Sequence, residues 1–121
     1  DDQIGAPTDA AWLAQATAQM MLIALNTPAV SGLYHLTNSG ETSWYGYAQY
    51  ILEIARHIGM PLKLLPEMLK PIPSTEYKTA AKRPLNSRLD TNKAKETFGI
   101  TPPEWQIGVE ALIKKLHETQ A

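Results

Sequence analysis

Five of the nine prolines fall between residues 61 and 90, at positions 61, 66, 71, 73 and 84. Proline has no amide hydrogen, and its ring is refused by the helix interior and by a central strand alike. That stretch therefore reads as extended or irregular, with at most short strands near Leu62 to Leu65 and Ser87 to Asp90. The regular structure must lie on either side of it. Irregular segments of this length are uncommon in a compact domain unless they carry a function, so this is the first place to look for one.

The flanks carry helical periodicity. Trp12, Ala16, Met20 and Ile23 recur at helical spacing behind Thr8 or Asp9 as N-cap, which predicts a helix running to about Asn26. Pro28 and Gly32 break the chain, and Leu33 to Thr37 reads as one buried strand bounded by Gly32 and by Asn38-Ser39-Gly40. Thr42 or Ser43 can cap a second helix with a stripe of Trp44, Ala48, Ile51, Ala55 and Ile58, stopped by Gly59 and Pro61. Thr91 can cap a short third helix through Phe98, with Gly99 as terminator. Thr101-Pro102-Pro103-Glu104 has capping-box spacing with proline at the first helical position, and a fourth helix follows with Trp105, Val109, Leu112 and Leu116 on its apolar face. The expected class is α/β: about four helices, one or two short strands and a long proline-rich loop.

A chain of 121 residues with 44% apolar composition suits one domain with a modest core. A net charge of -1 gives no field to hold a nucleic acid. Without cysteine, disulfides and thiolate chemistry are excluded, and the cytoplasm is the expected compartment. The longest apolar run, Met20 to Leu25, is far too short to cross a bilayer. The opening Asp1-Asp2-Gln3 has neither an initiator Met nor a signal-peptide pattern, and reads as a cut inside a longer chain.

No G-x-G-x-x-G, G-x-x-x-x-G-K-[ST] or G-x-S-x-G occurs. His35, His57 and His117 sit on three different elements without ligand spacing, so no metal site is expected. Glu41, Glu53, Glu67, Glu76, Asp90 and Glu96 are too scattered to nominate an acid–base pair. Trp44, Tyr45, Tyr47 and Tyr50 could stack on a base or sugar, but their helical spacing reads first as core and helix surface. The segment from Glu76 to Asp90 is different. It sets Lys82, Arg83 and Arg88 among the donors Asn86 and Ser87 in a loop fixed by Pro84, which suits a phosphate ester. A solvated basic loop paired with Glu76 and Asp90 accounts for it equally well.

Several of these segments together resemble a known family. Asp2-Gln3-Ile4-Gly5-Ala6-Pro7-Thr8, Gly32-Leu33-Tyr34-His35-Leu36, Gly40 to Tyr45, Ala81 to Thr91, Phe98-Gly99-Ile100 and Pro103-Glu104-Trp105 are similar, in order, to segments of the dTDP-4-dehydrorhamnose reductases. These are extended short-chain dehydrogenase/reductases. The resemblance implies a parent enzyme that reduces dTDP-4-dehydro-β-L-rhamnose to dTDP-β-L-rhamnose with NADPH, or NADH, bound by an N-terminal Rossmann domain. It also implies that residues 1 to 121 form a single C-terminal substrate-binding domain without that cofactor half. The family's Tyr-x-x-x-Lys pair lies upstream, and no tyrosine here is followed by lysine four residues later, so no catalytic residue and no cofactor-binding residue is expected. Gln3 and Thr8 are expected at the border of the substrate cleft, and Arg83, Asn86 and Ser87 at the nucleotide diphosphate or its sugar. Lys78 and Ala80 stand where the family pattern has prolines.

The expected partners are the nucleotide-sugar substrate and the chain's own Rossmann domain. The strand at Leu33 to Thr37 would resemble a late strand of a parallel sheet, so the chain alone should expose apolar surface and self-associate. Proteins of this fold also serve as non-catalytic regulatory subunits, as in the methionine adenosyltransferase regulatory subunit, and that reading is the alternative.

Overall fold

The computed structural model describes residues 1–77 and 79–120, together with the backbone but not the side chain of residue 120; the proline-to-lysine departure at position 78 lies outside the described residues. Four helices dominate. Helix α1 spans Ala10–Asn26 and is capped by Asp9, whose carboxylate accepts from the amides of Ala11 and Trp12. Helix α2, Trp44–His57, is capped by Ser43, whose Oγ accepts from the Gly46 amide at 3.0 Å. It ends against Gly59, which takes the left-handed conformation (φ 79°) that a side chain would resist. The short α3, Asn92–Phe98, closes at Gly99 in the same way. Its expected cap, Thr91, makes no side-chain bond there; Asp90 accepts from the Asn92 amide instead. Helix α4 is Trp105–Gln120.

The helices build two apolar clusters. In one, Ala55 of α2 packs on Trp105, Val109 and Ile113 of α4, with Tyr47 and Tyr50 edge-on to the Trp105 ring at centroid distances of 6.0 and 5.0 Å. In the other, Ala16 of α1 meets Phe98 and Ile100, and Tyr34 stands edge-on to Phe98 at 4.9 Å. A buried polar side chain bridges segments between the clusters. Asn38, 3% exposed, accepts from the Asp9 amide and donates to the Pro103 carbonyl. Gly108 of α4 lies against Asp9 so closely that a Cβ there would sit 2.5 Å from the Asp9 Cβ.

Regular strands occur, but not where sequence patterning places them. Residues 33–37 form no ladder, because no strand lies beside them among the described residues; pairing begins only at Ser39, in one isolated bridge with Glu104. Leu62 to Leu65 and Ser87 to Asp90 likewise form no strand, and Asn86 makes one isolated bridge with Ile4. The two strands present are β1, Ile4–Gly5, and β2, Thr42–Ser43, paired antiparallel in the register Ile4 to Ser43 and Gly5 to Thr42. Helix α4 also starts later than the Thr-x-x-Glu pattern predicts. The carbonyls of Pro102 and Pro103 accept from Ser39 Oγ and from the Ser39 amide, so residues 101–104 are held as an extended strap rather than a first turn.

Helix α1 is apolar on both sides. Met20 and Ile23 face the cluster, while Met21, Leu22 and Leu25 point outward, Leu25 with 75% of its surface exposed; the nearby-in-sequence Leu33 is equally open at 76%. A helix apolar all round is ordinarily a buried one. No helix among the described residues is long and apolar enough to cross a membrane.

Candidate functional site

Three segments distant in sequence meet at one cavity. Strand β1 is the middle member, flanked by β2 on one side and by residues 85–87 on the other, where the Ile4 amide donates to the Leu85 carbonyl and the Ser87 amide donates to the Ile4 carbonyl, both at 2.8 Å. Gly5 packs beside Ser87, where a Cβ would make an ordinary contact with the Ser87 Cβ at 3.5 Å. The proline-rich loop is thus stitched to the chain entry by backbone bonds, and its Arg83 and Pro84 end reaches the same space as the first turn of α2. The cavity has a volume of about 410 Å³, within the range of small-molecule sites.

Of the residues that the sequence nominates, Gln3, Thr8, Arg83 and Ser87 line this cavity. Asn86 does not: it spends its side-chain oxygen on the Arg88 amide at 3.1 Å, shaping the loop from behind. Not all four lining residues have donors to spare. Gln3 Nε2 donates to Ser74 Oγ, and Thr8 Oγ1 donates to the Ala6 carbonyl while accepting from the Asn38 amide. Arg83 has no carboxylate within ion-pair distance among the described residues. Arg88, by contrast, is committed: its guanidinium forms a two-pronged pair with Glu41, with Nε and Nη2 at 2.5 and 3.0 Å from the two carboxylate oxygens. Neither Glu76 nor Asp90 is within ion-pair distance of the loop arginines.

Two further lining residues are ones that the sequence admits as stacking groups but ranks first as core. Trp44 and Tyr47, at the first turn of α2, form one wall of the cavity together with Ile4, Ala6, Pro7 and Pro84. Their helical spacing assigns the aromatic set to the core, and for Tyr50 and the Tyr47–Trp105 contact it does so rightly. Trp44, however, is 60% exposed. Its signal in the sequence is the aromatic cluster itself, which can stack on a ring as well as pack in a core. A second, more polar cavity is lined by the Glu41–Arg88 pair together with, among others, Asn38, Ser39 and Lys95. Among the described residues no group of three His, Asp or Glu side chains converges as a metal site would require.

The seat of Asp2 completes the entry segment. Ser74 Oγ donates to Asp2 Oδ1 at 2.6 Å and the Ser74 amide to the same oxygen at 3.0 Å. The hydroxyl above all, against the opposing effect of desolvation and with the help of the Ser74 amide, holds this carboxyl below its ordinary range. Residues 2 and 3 are thereby tied to the proline-rich segment well before it reaches Arg83.

Comparison with known proteins places this geometry in context. The family model described as the RmlD substrate binding domain matches residues 1–118. The dTDP-4-dehydrorhamnose reductase of Escherichia coli is 48% identical over 121 residues, which is all of this chain and 40% of the relative. A crystal structure of a dTDP-4-dehydrorhamnose reductase from Bacillus anthracis in complex with NADP superposes with a TM-score of 0.68 at 28% identity, covering 94% of this chain and 36% of that one. The ortholog from Clostridium acetobutylicum gives a TM-score of 0.70 at 27% identity, over 96% and 37% of the two chains. The chain spans about 40% of the length of the curated relatives it matches.

Proposed function

Because this chain belongs to the RmlD substrate binding domain family, we propose that it is the single, C-terminal substrate-binding domain of a reductase acting on a dTDP-linked 4-keto-deoxyhexose, and that it holds the nucleotide diphosphate of that substrate in the cavity between β1, α2 and the Arg83 loop. The observation that carries the reading is Arg83. A guanidinium with no carboxylate within ion-pair distance among the described residues, on an otherwise largely apolar cavity wall, is a planar fork of donors in want of an anion, and a diphosphate supplies oxygens in matching geometry. Ser87 adds a hydroxyl on the same wall, Gln3 and Thr8 border the entry, and Asn86 keeps the loop in shape. The same loop would be only a solvated basic segment if Arg83 were paired as Arg88 is.

The residues present do not suit a dinucleotide. No glycine-rich turn opens a helix here: Gly5, Gly32, Gly40, Gly46, Gly59, Gly99 and Gly108 stand one at a time. The reading therefore assigns the cofactor, NADPH with NADH as the alternative, to a Rossmann domain outside this chain, and sets the reaction in the cytoplasm, in keeping with a chain free of cysteine. It also includes self-association of these 121 residues when they stand alone, through the apolar outer face of α1 with Leu33; a clean monomer by light scattering at working concentration would count against that part.

Calorimetric titration with dTDP-rhamnose, with Arg83→Ala as control, tests the site. Saturable binding that weakens about tenfold or more in the variant, the cost of a lost charge-assisted contact, is the expected result. Equal binding by both proteins, or none by either at millimolar ligand, would refute the assignment.

A further inference from the structure

We infer that Trp44 is the stacking platform for the nucleobase of the ligand. The inference rests on the nucleotide-sugar reading above and deepens it. The three tryptophans occupy three different environments. Trp105 is core and Trp12 packs half-buried on the α1 cluster, so both are explained by folding alone. Trp44 is not: it leads α2 with most of its indole exposed and borders the cavity that also holds Arg83.

Its ring is nevertheless braced. Trp44 and Tyr47 meet edge to face, with centroids 6.1 Å apart and planes at 73°, and Tyr47 in turn meets the buried Trp105 at 6.0 Å and 66°. A line of aromatic contacts thus runs from the α2–α4 core to the cavity wall. A ring held in this way gives up little freedom when a second ring lands on it.

The choice of base over sugar follows from what the chain lacks. The sugar carbon that reacts must lie against a cofactor and a proton donor, and neither a glycine-rich loop nor Tyr-x-x-x-Lys occurs in these residues. The part of the ligand left for this cavity is its non-reacting end, the nucleoside diphosphate. Arg83 answers the diphosphate. The base has two uncharged flat faces, and Trp44 among Ile4, Ala6, Pro7 and Pro84 is the surface that desolvates one of them.

Three probes separate the contributions: dTDP, inorganic pyrophosphate and dTDP-rhamnose, each titrated calorimetrically into the wild-type protein and the Trp44→Leu, Trp44→Phe and Arg83→Ala variants. Trp44→Leu should weaken dTDP and dTDP-rhamnose alike by about tenfold or more and leave pyrophosphate unchanged, while Trp44→Phe keeps most of the affinity. Arg83→Ala should weaken all three. Unchanged helical circular dichroism is expected for the Trp44 variants, whose ring is mostly in solvent, and loss of that signal is answered by the phenylalanine variant, which keeps the ring. Equal dTDP affinity in wild type and Trp44→Leu overturns the inference and leaves the Arg83 reading standing. A loss confined to dTDP-rhamnose moves the platform under the sugar and also overturns it. If the wild type binds none of the probes, the site reading itself falls and takes the inference with it.

Discussion

Asn38 offers the sharpest test of how this fold holds its cavity in place. Its side chain is buried at 3% exposure and makes one bond of each kind: Oδ1 accepts from the Asp9 amide at 2.9 Å and Nδ2 donates to the Pro103 carbonyl at 3.0 Å. In Asn38→Ala the Asp9 amide loses its acceptor, at about 1 to 3 kcal/mol, and the Pro103 bond is lost at about 1 kcal/mol more, since that carbonyl keeps the Ser39 amide. The expected loss is about 2 to 4 kcal/mol, a large share of the roughly 5 to 15 kcal/mol that folded domains possess. Asn38→Asp is the discriminating variant. Its carboxylate still accepts from Asp9 but turns an acceptor toward the Pro103 carbonyl, in a buried place beside the Asp9 carboxylate. Those surroundings favour the neutral acid, so the native pKa of the introduced group lies above its unfolded value of about 3.9. The native state then binds more protons than the unfolded state between the two pKa values, and stability falls as pH rises through that window. Urea unfolding followed by helical circular dichroism should find Asn38→Asp less stable than Asn38→Ala at neutral pH and recovering relative to wild type as pH drops toward 4, where the protonated oxygen can donate to Pro103. A loss under about 0.5 kcal/mol in Asn38→Ala, or a pH-independent gap between wild type and Asn38→Asp, would refute the bridging role.

Three further predictions come from other contacts. Gly108→Ala brings a Cβ to 2.5 Å from the Asp9 Cβ and 3.7 Å from its Cα, atoms that cannot rotate away, so α4 must shift from the α1 cap; unfolding curves should show a loss of about 1 to 3 kcal/mol despite the better helix former, and a gain would show the two segments are not in firm contact. Tyr50 donates to Glu110 at 2.5 Å, and that hydrogen bond, helped by burial and by the charges of Glu110 and Glu53, pushes its phenol up to about 12. The stabilisation it gives is complete below pH 10 and lost as pH rises from 10 to about 12, so ultraviolet titration should show one late-ionising tyrosine that disappears in Tyr50→Phe; its persistence there would assign the late phenol elsewhere. Gln106 Oε1 is buried without a hydrogen-bond partner among the described residues, so Gln106→Met should be neutral or stabilising by up to about 1 kcal/mol, and a clear loss of melting temperature would mean the oxygen is bonded in solution.

Helix identity was legible because it is written locally. The Asp9 and Ser43 caps and the Gly59 and Gly99 terminators act within a few residues of themselves; both terminators lie where sequence patterning puts them, and each cap is one of the two neighbouring residues it offers. The start of α4 was not, because the competition for residues 101–104 comes from Ser39, more than sixty residues away, and no local rule carries it. Strands fared worse for the same reason. Two-residue strands have no periodicity to detect, and Ile4–Gly5 and Thr42–Ser43 exist only through each other and through the Asn86 bridge. Conversely, Leu33 to Thr37 has the composition of a strand but no neighbour among the described residues, and a ladder takes two.

The site shows the same division. The loop's cations were visible in the sequence, but which arginine is already paired was not, since that depends on Glu41 claiming Arg88 across 47 positions of sequence. The pairing makes the two arginines opposite in kind. Arg88 is a strut: with its charge answered, it fixes the back of the loop to the segment entering α2. Arg83, at the front, has no carboxylate within ion-pair distance among the described residues and lines a largely apolar cavity. No residue from 81 to 90 belongs to either core cluster, and every one of them is exposed. Its position therefore depends on the two Ile4 backbone bonds and on this one ion pair, contacts with water on one side and modest individual strength. A ligand that bridges Arg83 to the α2 wall would close the same gap from the front that Glu41 and Arg88 close from behind, so its binding energy is spent partly on ordering the loop.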